Sequence, residues 1–387
     1  MLKKIRLIVS LALVFILSVS VVAFANQADL GLQSKSAVLM EASTGQILYQ
    51  ENIHEKLPPA SITKVMTLLL IYEAVDSGRI TWEDTVTISE HAASMGGSQV
   101  FLEGGEEQTV KDLTKCISIA SANDASVAMA EYIGGSEDSF VGMMNARARE
   151  LGMENTNFVN ACGLDTDGHV SSSYDIALMS KQLINNYPEI SEYATTWMDT
   201  ITHKTRQGEK AFGLTNTNRL VKWYKGATGL KTGSTGKALF CLSGTANRDE
   251  MNLVAVVMGA PNSSTRFSEV MQLFDYGFAN YSVLKGHETG EVVGETEVFK
   301  GLLKTMPVTV KDEVSTVIQK GSRNDIEWEI IINDAVNAPF ETGEKAGEII
   351  YKLNGNEVGR SDLVTIDSME KIGFAGMLGR VIEKWFG

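Results

Sequence analysis

Cysteine is scarce in this chain of 387 residues. The three cysteines, Cys116, Cys162 and Cys241, are too few and odd in number to supply a disulfide framework. We expect all three to be small, buried apolar residues. The five histidines lack the spacing of a metal site, so there is no zinc signature, and we expect neither a metal nor a cofactor.

Positive charge is also in short supply. Lysine and arginine number 34 against 48 aspartates and glutamates, which gives a formal net charge of −14. No stripe of Lys and Arg interrupts this acidic composition, and a broad basic surface for nucleic acid is therefore excluded. The hydrophobic content of 44% is ordinary for a globular protein, and the length predicts two or three domains.

Residues 1–25 have the pattern of a secretory signal peptide. Three basic residues stand within positions 3–6, an apolar run covers 7–22, and Ala23-Phe24-Ala25 is a small-x-small cleavage site. An uncleaved membrane anchor is the alternative, but the run is short for a membrane span. Cleavage removes three positive charges, so the mature chain carries −14 − 3 = −17. We therefore expect an exported protein.

Residues 26–281 read as one α+β domain. Strand-turn-strand signals at 36–52 open it, helical periodicity is common from 61 to 186, and apolar strands return between 226 and 259. A helical pattern from 265 to 281 closes the region. Strands at both ends with helices between them predict a mostly antiparallel sheet with helices packed on it.

The pattern of the sequence changes at residue 282, from mixed helical and strand signals to short β-rich segments. Short β-rich segments separated by turn residues fill 282–366, and Asn354-Gly355 is a strong signal for a hairpin turn. This pattern predicts a small all-β C-terminal domain. Nothing in it has a catalytic pattern, and we interpret it as a spacer or docking module.

The final segment, 367–387, combines apolar residues at helical spacing with interleaved charges, and Trp385 and Phe386 stand near its end. It is too short and too charged to span a bilayer. We expect an amphipathic helix that associates with a membrane surface. The alternative is a helix packed on the β-rich domain, and the three glycines of the segment weaken an isolated helix.

The stretch around Ser61 predicts a reactive hydroxyl. Pro58-Pro59 ends what precedes it, and a long apolar run after Ile62 predicts a buried helix whose first turn holds Ser61 and Lys64. Residues three apart share a helix face, so a neutral Lys64 amine could activate the Ser61 hydroxyl beside unpaired backbone N–H groups. Taken alone, the pattern also fits an N-cap serine and a solvated lysine. Ser-x-x-Lys recurs at Ser234/Lys237, Ser282/Lys285 and Ser368/Lys371.

A second polar stretch, Ser121-Ala122-Asn123-Asp124, interrupts an otherwise apolar helical region. These residue types suit the N-cap of the helix that follows. They also suit a cluster of side chains that points into a cleft, and the pattern alone does not separate the two interpretations. A long loop at 155–173 contains His169, and loops of this length are often functional.

Three short motifs occur in chain order: Ser61-x-x-Lys64, Ser121-Ala122-Asn123 and Lys231-Thr232-Gly233. On an exported chain, this ordered set resembles the S-x-x-K, S-D-N and K-T-G signature of penicillin-binding proteins and class A β-lactamases, with Ala122 in place of the aspartate. The chain is identified as a member of the low-molecular-mass penicillin-binding proteins, the serine D-alanyl-D-alanine carboxypeptidases of family S11. Gly163-Leu164 with His169 and Asp175 is a further match, and the resemblance covers nearly all of the mature chain.

This resemblance implies a penicillin-binding-protein/β-lactamase-like transpeptidase domain and an acyl-enzyme mechanism. Ser61 would attack the peptide bond between two D-alanines, and Lys64 would accept its proton, with a pKa lowered by burial and by nearby Lys231. Ser121 would relay a proton to the leaving amine. Asn123 would hold Lys64 and the substrate amide.

The same resemblance implies a binding role for the strand after Gly229. Lys231 and Thr232 would recognise the terminal carboxylate or polarise the second serine, and the backbone N–H groups of Ser61 and Ser234 would form the oxyanion hole. Some relatives place a carboxylate-binding arginine near the position of Thr217. In this chain, Arg219 or Arg266 would be the arginine that binds the carboxylate.

The resemblance also implies the partners: peptidoglycan stem peptides ending in D-Ala-D-Ala, β-lactams as covalent inhibitors, and a membrane surface at the outer face of the bacterial cytoplasmic membrane or in the cell wall. A β-lactamase is the nearest alternative. Class A enzymes need a loop glutamate for deacylation, and 157–169 contains none, so we expect slow release of penicillin. An inert wall-binding scaffold is the alternative from another class, and the intact motifs argue against it.

Overall fold

The computed structural model of this protein describes residues 29–205, 208–320 and 326–386; the predicted leader, 1–25, lies outside these ranges. The first part of the chain is organised around a five-stranded antiparallel sheet with the strand order β2-β1-β9-β8-β7. Two two-stranded antiparallel sheets, β3-β4 and the β5-β6 hairpin, lie outside it. The strands are β1 Ser36–Glu41, β2 Ile47–Glu51, β3 Thr85–Thr87, β4 Glu107–Thr109, β5 Met198–Thr205, β6 Gly208–Thr215, β7 Ala227–Thr235, β8 Leu239–Arg248 and β9 Met251–Ala260.

Most helices of this part lie between β2 and β7 in the sequence, as predicted. They are α1 Lys64–Asp76, α2 Glu90–Ala93, α3 Val110–Lys115, α4 Asn123–Gly134, α5 Glu137–Glu150, α6 Ser173–Asn186, α7 Ile190–Thr195, α8 Leu220–Trp223 and α9 Ser263–Asn280. A 3₁₀ turn, Ala60–Thr63, leads into α1, and a π-helical turn, Cys116–Ala120, ends α3.

The sheet is covered on both faces, and the alternation of side chains along its strands explains how. Val38 and Met40 of β1 pack in the large core that contains α1. The intervening Leu39 lies on the opposite face, where its side chain approaches Gly277 of α9. Successive residues of a strand point to opposite faces, so a strand that is apolar at every position must be covered on both sides. All six residues of β1 are buried.

The second part of the chain is almost entirely β-structure. Its main sheet has the order β14-β16-β17-β12-β11-β15, and β10 pairs separately with β13. The strands are β10 Tyr281–Lys285, β11 Val292–Phe299, β12 Thr305–Val310, β13 Ser315–Gln319, β14 Ile326–Ile332, β15 Val336–Asn337, β16 Lys345–Leu353 and β17 Asn356–Thr365. The Asn354-Gly355 turn joins β16 to β17, as its sequence predicts. The predicted α+β fold followed by an all-β region is confirmed.

The last helix, α10 Phe374–Phe386, follows this β-rich region. Within the described ranges, no helix has both the length and the apolar character needed to cross a lipid bilayer. The three cysteines are free thiols with buried side chains, which confirms the prediction for them.

Two elements differ from the sequence-based expectation. The β5-β6 hairpin was not predicted, because about half of its residues are polar and apolar and polar residues alternate only weakly along its strands. The Ser121 stretch does not cap the next helix through a side chain. Ala122 occupies the N-cap position, and Asn123 is the first helical residue, so the capping interpretation is wrong.

Candidate active site

Ser61 lies in the 3₁₀ turn that precedes α1, as the proline pair predicts. Pro59 occupies the N-cap position, and the Ile62 N–H donates to the Pro59 carbonyl (3.2 Å). Ala60 has a φ of +48°, an uncommon conformation for a residue with a Cβ. Such a conformation persists only where the surrounding structure holds it, and here it turns the chain sharply just before the hydroxyl.

Two glycines hold this turn from opposite sides. A Cβ on Gly163 would lie 1.9 Å from the Ala60 carbonyl oxygen and 2.9 Å from the Ser61 nitrogen. A Cβ on Gly233 would lie 2.9 Å from the Pro59 carbonyl oxygen and 3.1 Å from the Ile62 nitrogen. The loop after α5 and strand β7 can therefore touch the backbone around Ser61 only because both positions lack a side chain.

Lys64, the first residue of α1, is fully buried, and its amine has three oxygen neighbours. Nζ lies 3.0 Å from Ser61 Oγ, 2.6 Å from Asn123 Oδ1 and 2.7 Å from the Cys162 carbonyl oxygen. The latter two atoms can only accept hydrogen bonds. A neutral amine has two N–H donors and one lone pair, so these acceptors leave the lone pair for the Ser61 hydroxyl.

Burial lowers the pKa of Lys64 from 10.5 to about 8. A buried ammonium loses the hydration that stabilises its charge, and the neutral form gains relative to it. At neutral pH, a useful fraction of the protein therefore carries an amine that can accept a proton. The predicted direction of the shift is confirmed, and desolvation is its largest cause.

Asn123 connects the second motif to the first. Its Oδ1 faces Lys64, while its Nδ2 donates to the Gly96 carbonyl (2.7 Å) and its backbone N–H donates to the Ser98 carbonyl (2.7 Å). The donor on Nδ2 identifies which end of the amide accepts from the lysine. Of the two interpretations of this stretch, the geometry therefore favours side chains that point into a cleft.

Ser121 precedes this amide in a left-handed conformation, with a φ of +61°, and is almost fully buried. It follows the π-helical turn, whose Ile119 carbonyl accepts from the backbone N–H of Thr217 (3.2 Å). Both π-turns and positive φ angles are local departures from regular structure that recur at functional sites. Here they interrupt the helical region at the serine of the motif.

The third motif lies on β7, where Lys231 is 1% exposed. Its Nζ donates to the Thr232 carbonyl at 3.3 Å. Burial, followed by the charges of Lys64 and Arg266, lowers the pKa of Lys231 well below its ordinary value. The electrostatic effect predicted between the two lysines therefore appears on Lys231.

Thr232 points its hydroxyl at Thr217, with 2.7 Å between the two Oγ1 atoms. Thr217 thus links β7 to the π-turn before Ser121. The next residues on the strand are Gly233, which packs on the Ser61 turn, and the exposed Ser234. The order of the motifs in the chain does not indicate that Thr217 joins the second and third motifs. In the sequence, Thr217 is notable only because some relatives carry an arginine near its position.

Within the described residues, neither candidate arginine forms a hydrogen bond with the Ser61 hydroxyl or the Lys64 amine. Arg266 Nη1 donates to the carbonyls of Gly233 (3.0 Å) and Cys241 (3.3 Å), so it holds the end of the β7-β8 pair. Arg219 is exposed and lies over the ring of Trp223. The contacts of Arg266 are those of a residue that supports the strand.

His169 fixes the loop that carries Gly163. The backbone N–H of Val159 donates to His169 Nδ1 (3.0 Å), so the ring hydrogen is on Nε2, which donates to Thr63 Oγ1 (2.8 Å). Thr63 in turn donates to the Ala60 carbonyl (2.8 Å). Burial lowers the pKa of His169 to about 4, which keeps this ring neutral near pH 7.

The other Ser-x-x-Lys matches are surface features where the structure describes a lysine contact. Lys237 Nζ pairs with Asp167 (3.2 Å), and Lys285 Nζ pairs with Glu250 (3.7 Å); all four side chains are largely exposed. The structure thus distinguishes one buried pair from the surface matches. No motif had indicated the contact that the Cys162 carbonyl makes with Lys64, because this residue acts through its backbone.

Comparison with known proteins agrees with this site. Residues 22–262 match the family model described as D-alanyl-D-alanine carboxypeptidase, and residues 281–371 match that of the penicillin-binding protein 5 C-terminal domain. The chain is 44% identical over 369 residues to the D-alanyl-D-alanine carboxypeptidase DacF of Bacillus subtilis, which covers 94% of each chain.

Two solved structures extend the likeness. Penicillin-binding protein 5 from Haemophilus influenzae matches with a TM-score of 0.75 and 30% identity, over 88% of this chain and 98% of that one. Penicillin-binding protein D2 from Listeria monocytogenes, in its ampicillin-bound form, matches with a TM-score of 0.54 and 32% identity, over 65% of this chain and 100% of that one. The fold and site define a penicillin-binding serine peptidase. Within that class, the chain belongs to the D-alanyl-D-alanine carboxypeptidase family, S11.

Proposed function

We propose that Ser61 is the nucleophile of a serine-type D-Ala-D-Ala carboxypeptidase and that Lys64 is its general base. The observation that carries this assignment is the 3.0 Å approach of a buried amine, with a pKa near 8, to the Ser61 hydroxyl. The Ser61 oxygen attacks the carbonyl carbon of the penultimate D-alanine while Lys64 takes its proton. The terminal D-alanine leaves as the free amine, and water then hydrolyses the acyl-enzyme.

The remaining motif residues have supporting roles. Ser121 passes a proton towards the leaving amine, and Asn123 orients Lys64 and the substrate amide. Lys231 and Thr232 bind the terminal carboxylate, whose negative charge suits a buried lysine that donates to the Thr232 carbonyl at a long 3.3 Å. The hydroxyl pair of Thr232 and Thr217 supports this position by fixing the threonine rotamer.

The oxyanion of the tetrahedral intermediate is bound by the backbone N–H groups of Ser61 and Ser234. The packing of Gly233 on the Ser61 turn supports this, because it brings β7 against the nucleophile's backbone. A donor of this kind stabilises the transition state by ~3 kcal/mol. Only the backbone of Ser234 takes part, so its exposed side chain is free to vary.

Peptidoglycan stem peptides ending in D-Ala-D-Ala are the substrates, and β-lactams are covalent inhibitors. The residues at 157–169 include no glutamate that could activate a deacylating water, and Asp165 and Asp167 instead contact Thr235 and Lys237. Acylation by penicillin is therefore followed by slow release, which separates this function from that of a β-lactamase.

The domain organisation follows the sequence pattern. Residues 1–25 direct export, 26–281 form the carboxypeptidase domain, 282–366 form the β-rich C-terminal domain, and 367–387 form the terminal segment, whose helix α10, Phe374–Phe386, contacts the membrane. The exposed side chains of Phe374 and Trp385 support the last assignment. The site of action is then the outer face of the bacterial cytoplasmic membrane or the cell wall.

The test is the release of D-alanine from a pentapeptide ending in D-Ala-D-Ala, measured for the wild type and Ser61→Ala. We expect release by the wild type and none by Ser61→Ala. Labelled penicillin should modify the wild type only. Unlabelled protein would favour a non-catalytic scaffold, and fast release of hydrolysed penicillin would favour a β-lactamase.

A further inference from the structure

The turn between β11 and β12 exposes three large apolar side chains at one end of the β-rich region. Phe299 is 56% exposed, Leu302 53% and Leu303 60%. By contrast, Val298 on β11 and Met306 on β12, which flank the turn, have side chains buried in the core of the β-rich region. A cluster of exposed leucine and phenylalanine on a convex turn is an unusual surface for water and indicates a contact.

The backbone of this turn is held by bonds within the protein. The Val298 N–H donates to the Lys304 carbonyl (2.8 Å), which closes the turn. The Leu302 N–H donates to the Glu370 carbonyl (3.1 Å), and the Lys300 carbonyl accepts from the Ile372 N–H (2.8 Å). Because these polar groups are paired internally, the leucines could enter an apolar phase without exposing them to it.

The turn is also fixed in position. A Cβ on Gly301 would lie 2.5 Å from Val298 Cγ1 and 2.8 Å from Met369 Cγ, so this glycine lets the turn lie flat on the core below it. The close packing beneath Gly301 leaves the leucine side chains on the outer surface. The apolar cluster is therefore a rigid part of the domain.

Helix α10 adjoins the turn and exposes apolar side chains of its own. Arg380 Nη2 donates to the Leu302 carbonyl (2.8 Å), which joins the middle of the helix to the turn. Phe374 is 87% exposed and Trp385 80%, and Leu378, at 50%, lies between them. Turn and helix together present apolar side chains from two separate stretches of the chain.

Charge distinguishes a membrane from other partners. Residues 299–304 and 370–386 contain five basic residues, Lys300, Lys304, Lys371, Arg380 and Lys384, and two acidic residues, Glu370 and Glu383. The whole chain, by contrast, has 34 basic and 48 acidic residues. Apolar side chains bordered by cations match the anionic headgroups and acyl chains of a lipid surface.

We propose that the β11-β12 turn, residues 299–304, inserts its apolar side chains into the lipid headgroup region as a second membrane contact beside α10. This inference rests on the proposed membrane contact of α10 and adds an element fixed to the folded domain. Two contacts joined through Arg380 restrict how the domain tilts on the bilayer.

The test uses an environment-sensitive fluorophore on the mature full-length chain. The three native thiols are buried, so Leu303→Cys provides the accessible labelling site. Glu313→Cys is the matched control, because Glu313 is exposed and lies beyond the other end of β12. With vesicles containing phosphatidylglycerol, we expect a blue shift and quenching by lipid-borne quenchers at position 303 and neither effect at position 313.

A second measurement compares vesicle binding of the wild type with that of the double variant Leu302→Ser/Leu303→Ser. We expect roughly tenfold or greater weakening, because two half-exposed leucines lose their apolar contact. Trp328→Ser is the control, since Trp328 is 57% exposed on β14, and the other exposed apolar side chains there are not part of the turn. Labelling by penicillin should be the same for all three proteins.

Each alternative outcome is distinct. Unchanged fluorescence at position 303 in protein that cosediments with vesicles overturns the turn contact and leaves that of α10. Failure to cosediment overturns both contacts, while penicillin labelling still reports separately on the catalytic proposal. A signal at position 303 that depends on protein concentration without lipid indicates a second copy of the chain as the partner, and it also overturns the inference.

Discussion

Lys64 and Lys231 are both buried lysines of one cleft, but their surroundings differ. The Lys64 amine has three oxygen neighbours within 3.0 Å, whereas the Lys231 amine donates to the Thr232 carbonyl at 3.3 Å. The first site is complete before substrate arrives. We expect an anion to complete the second site, because a carboxylate beside Lys231 would stabilise the charged form of an amine whose pKa burial lowers. The difference supports the proposed division of roles, in which Lys64 acts as the base and Lys231 binds the substrate.

The largest effect should come from replacing the base. We expect Lys64→Met to reduce the rate of acylation by labelled penicillin about 10³–10⁴-fold, since general-base catalysis is lost. Lys237→Met is the matched control, because Lys237 belongs to another Ser-x-x-Lys sequence but is paired on the surface with Asp167. The comparison of the two lysines fails if Lys64→Met retains near-normal acylation.

Lys231→Met should have a smaller effect that depends on the substrate. For peptides ending in a free carboxylate, we expect kcat/KM to fall about 10- to 100-fold, the value of a charge-assisted hydrogen bond. For the same peptides with an amidated C-terminus, the loss should be much smaller, because no carboxylate is present to bind. Equal losses for both peptides would mean that Lys231 acts in the chemical step.

Gly163→Ala tests the support of the Ser61 turn. The new Cβ would overlap the Ala60 carbonyl, and overpacking of this kind costs ~1–3 kcal/mol of unfolding free energy. Gly168→Ala is the control in the same loop. It has a similar φ of +83°, but its Cβ would meet only Asn157 Nδ2, at 3.8 Å. We expect only Gly163→Ala to slow acylation, by about tenfold or more, and equal behaviour in denaturant and acylation assays would contradict the contact.

The smallest effect concerns pH. Only the neutral form of Lys64 accepts a proton, and its pKa is about 8. The acylation rate constant should therefore fall as pH decreases through 8, by about fivefold between pH 8 and pH 7, and level off above pH 9. Stopped-flow acylation with a β-lactam measures this profile. A rate that is constant from pH 7 to pH 9 would show that Lys64 is not the group that titrates.

Sequence patterns indicated which residues meet in the cleft better than they indicated the contacts that support them. Ser61, Lys64 and Asn123 belong to short motifs, and the structure joins them directly through hydrogen bonds. The Cys162 carbonyl acts through the backbone, so its residue type carries little information about its role, and the match at Gly163 did not indicate that this glycine packs on the Ala60 carbonyl. Such contacts depend on how distant segments pack, which the order of motifs does not specify.

The fold shows the same division. The strands β1, β7, β8 and β9 and the helices around them have apolar periodicity, because they form the core, and their positions were predicted within a few residues. The hairpin of Met198–Thr205 and Gly208–Thr215 lies outside the main sheet and has mostly exposed side chains. A segment that contributes little to the core has weak periodicity, and sequence reasoning did not detect it.

The buried thiol of Cys162 gives the cleft a built-in reporter. Its own carbonyl holds Lys64, and burial raises the pKa of the thiol, so the unreactive neutral form dominates while the cleft is closed. A maleimide can reach this sulfur only when the surrounding segment opens. The rate of alkylation at this cysteine therefore measures how often the segment that carries the Cys162 carbonyl moves away from Lys64, and the measurement needs no substrate.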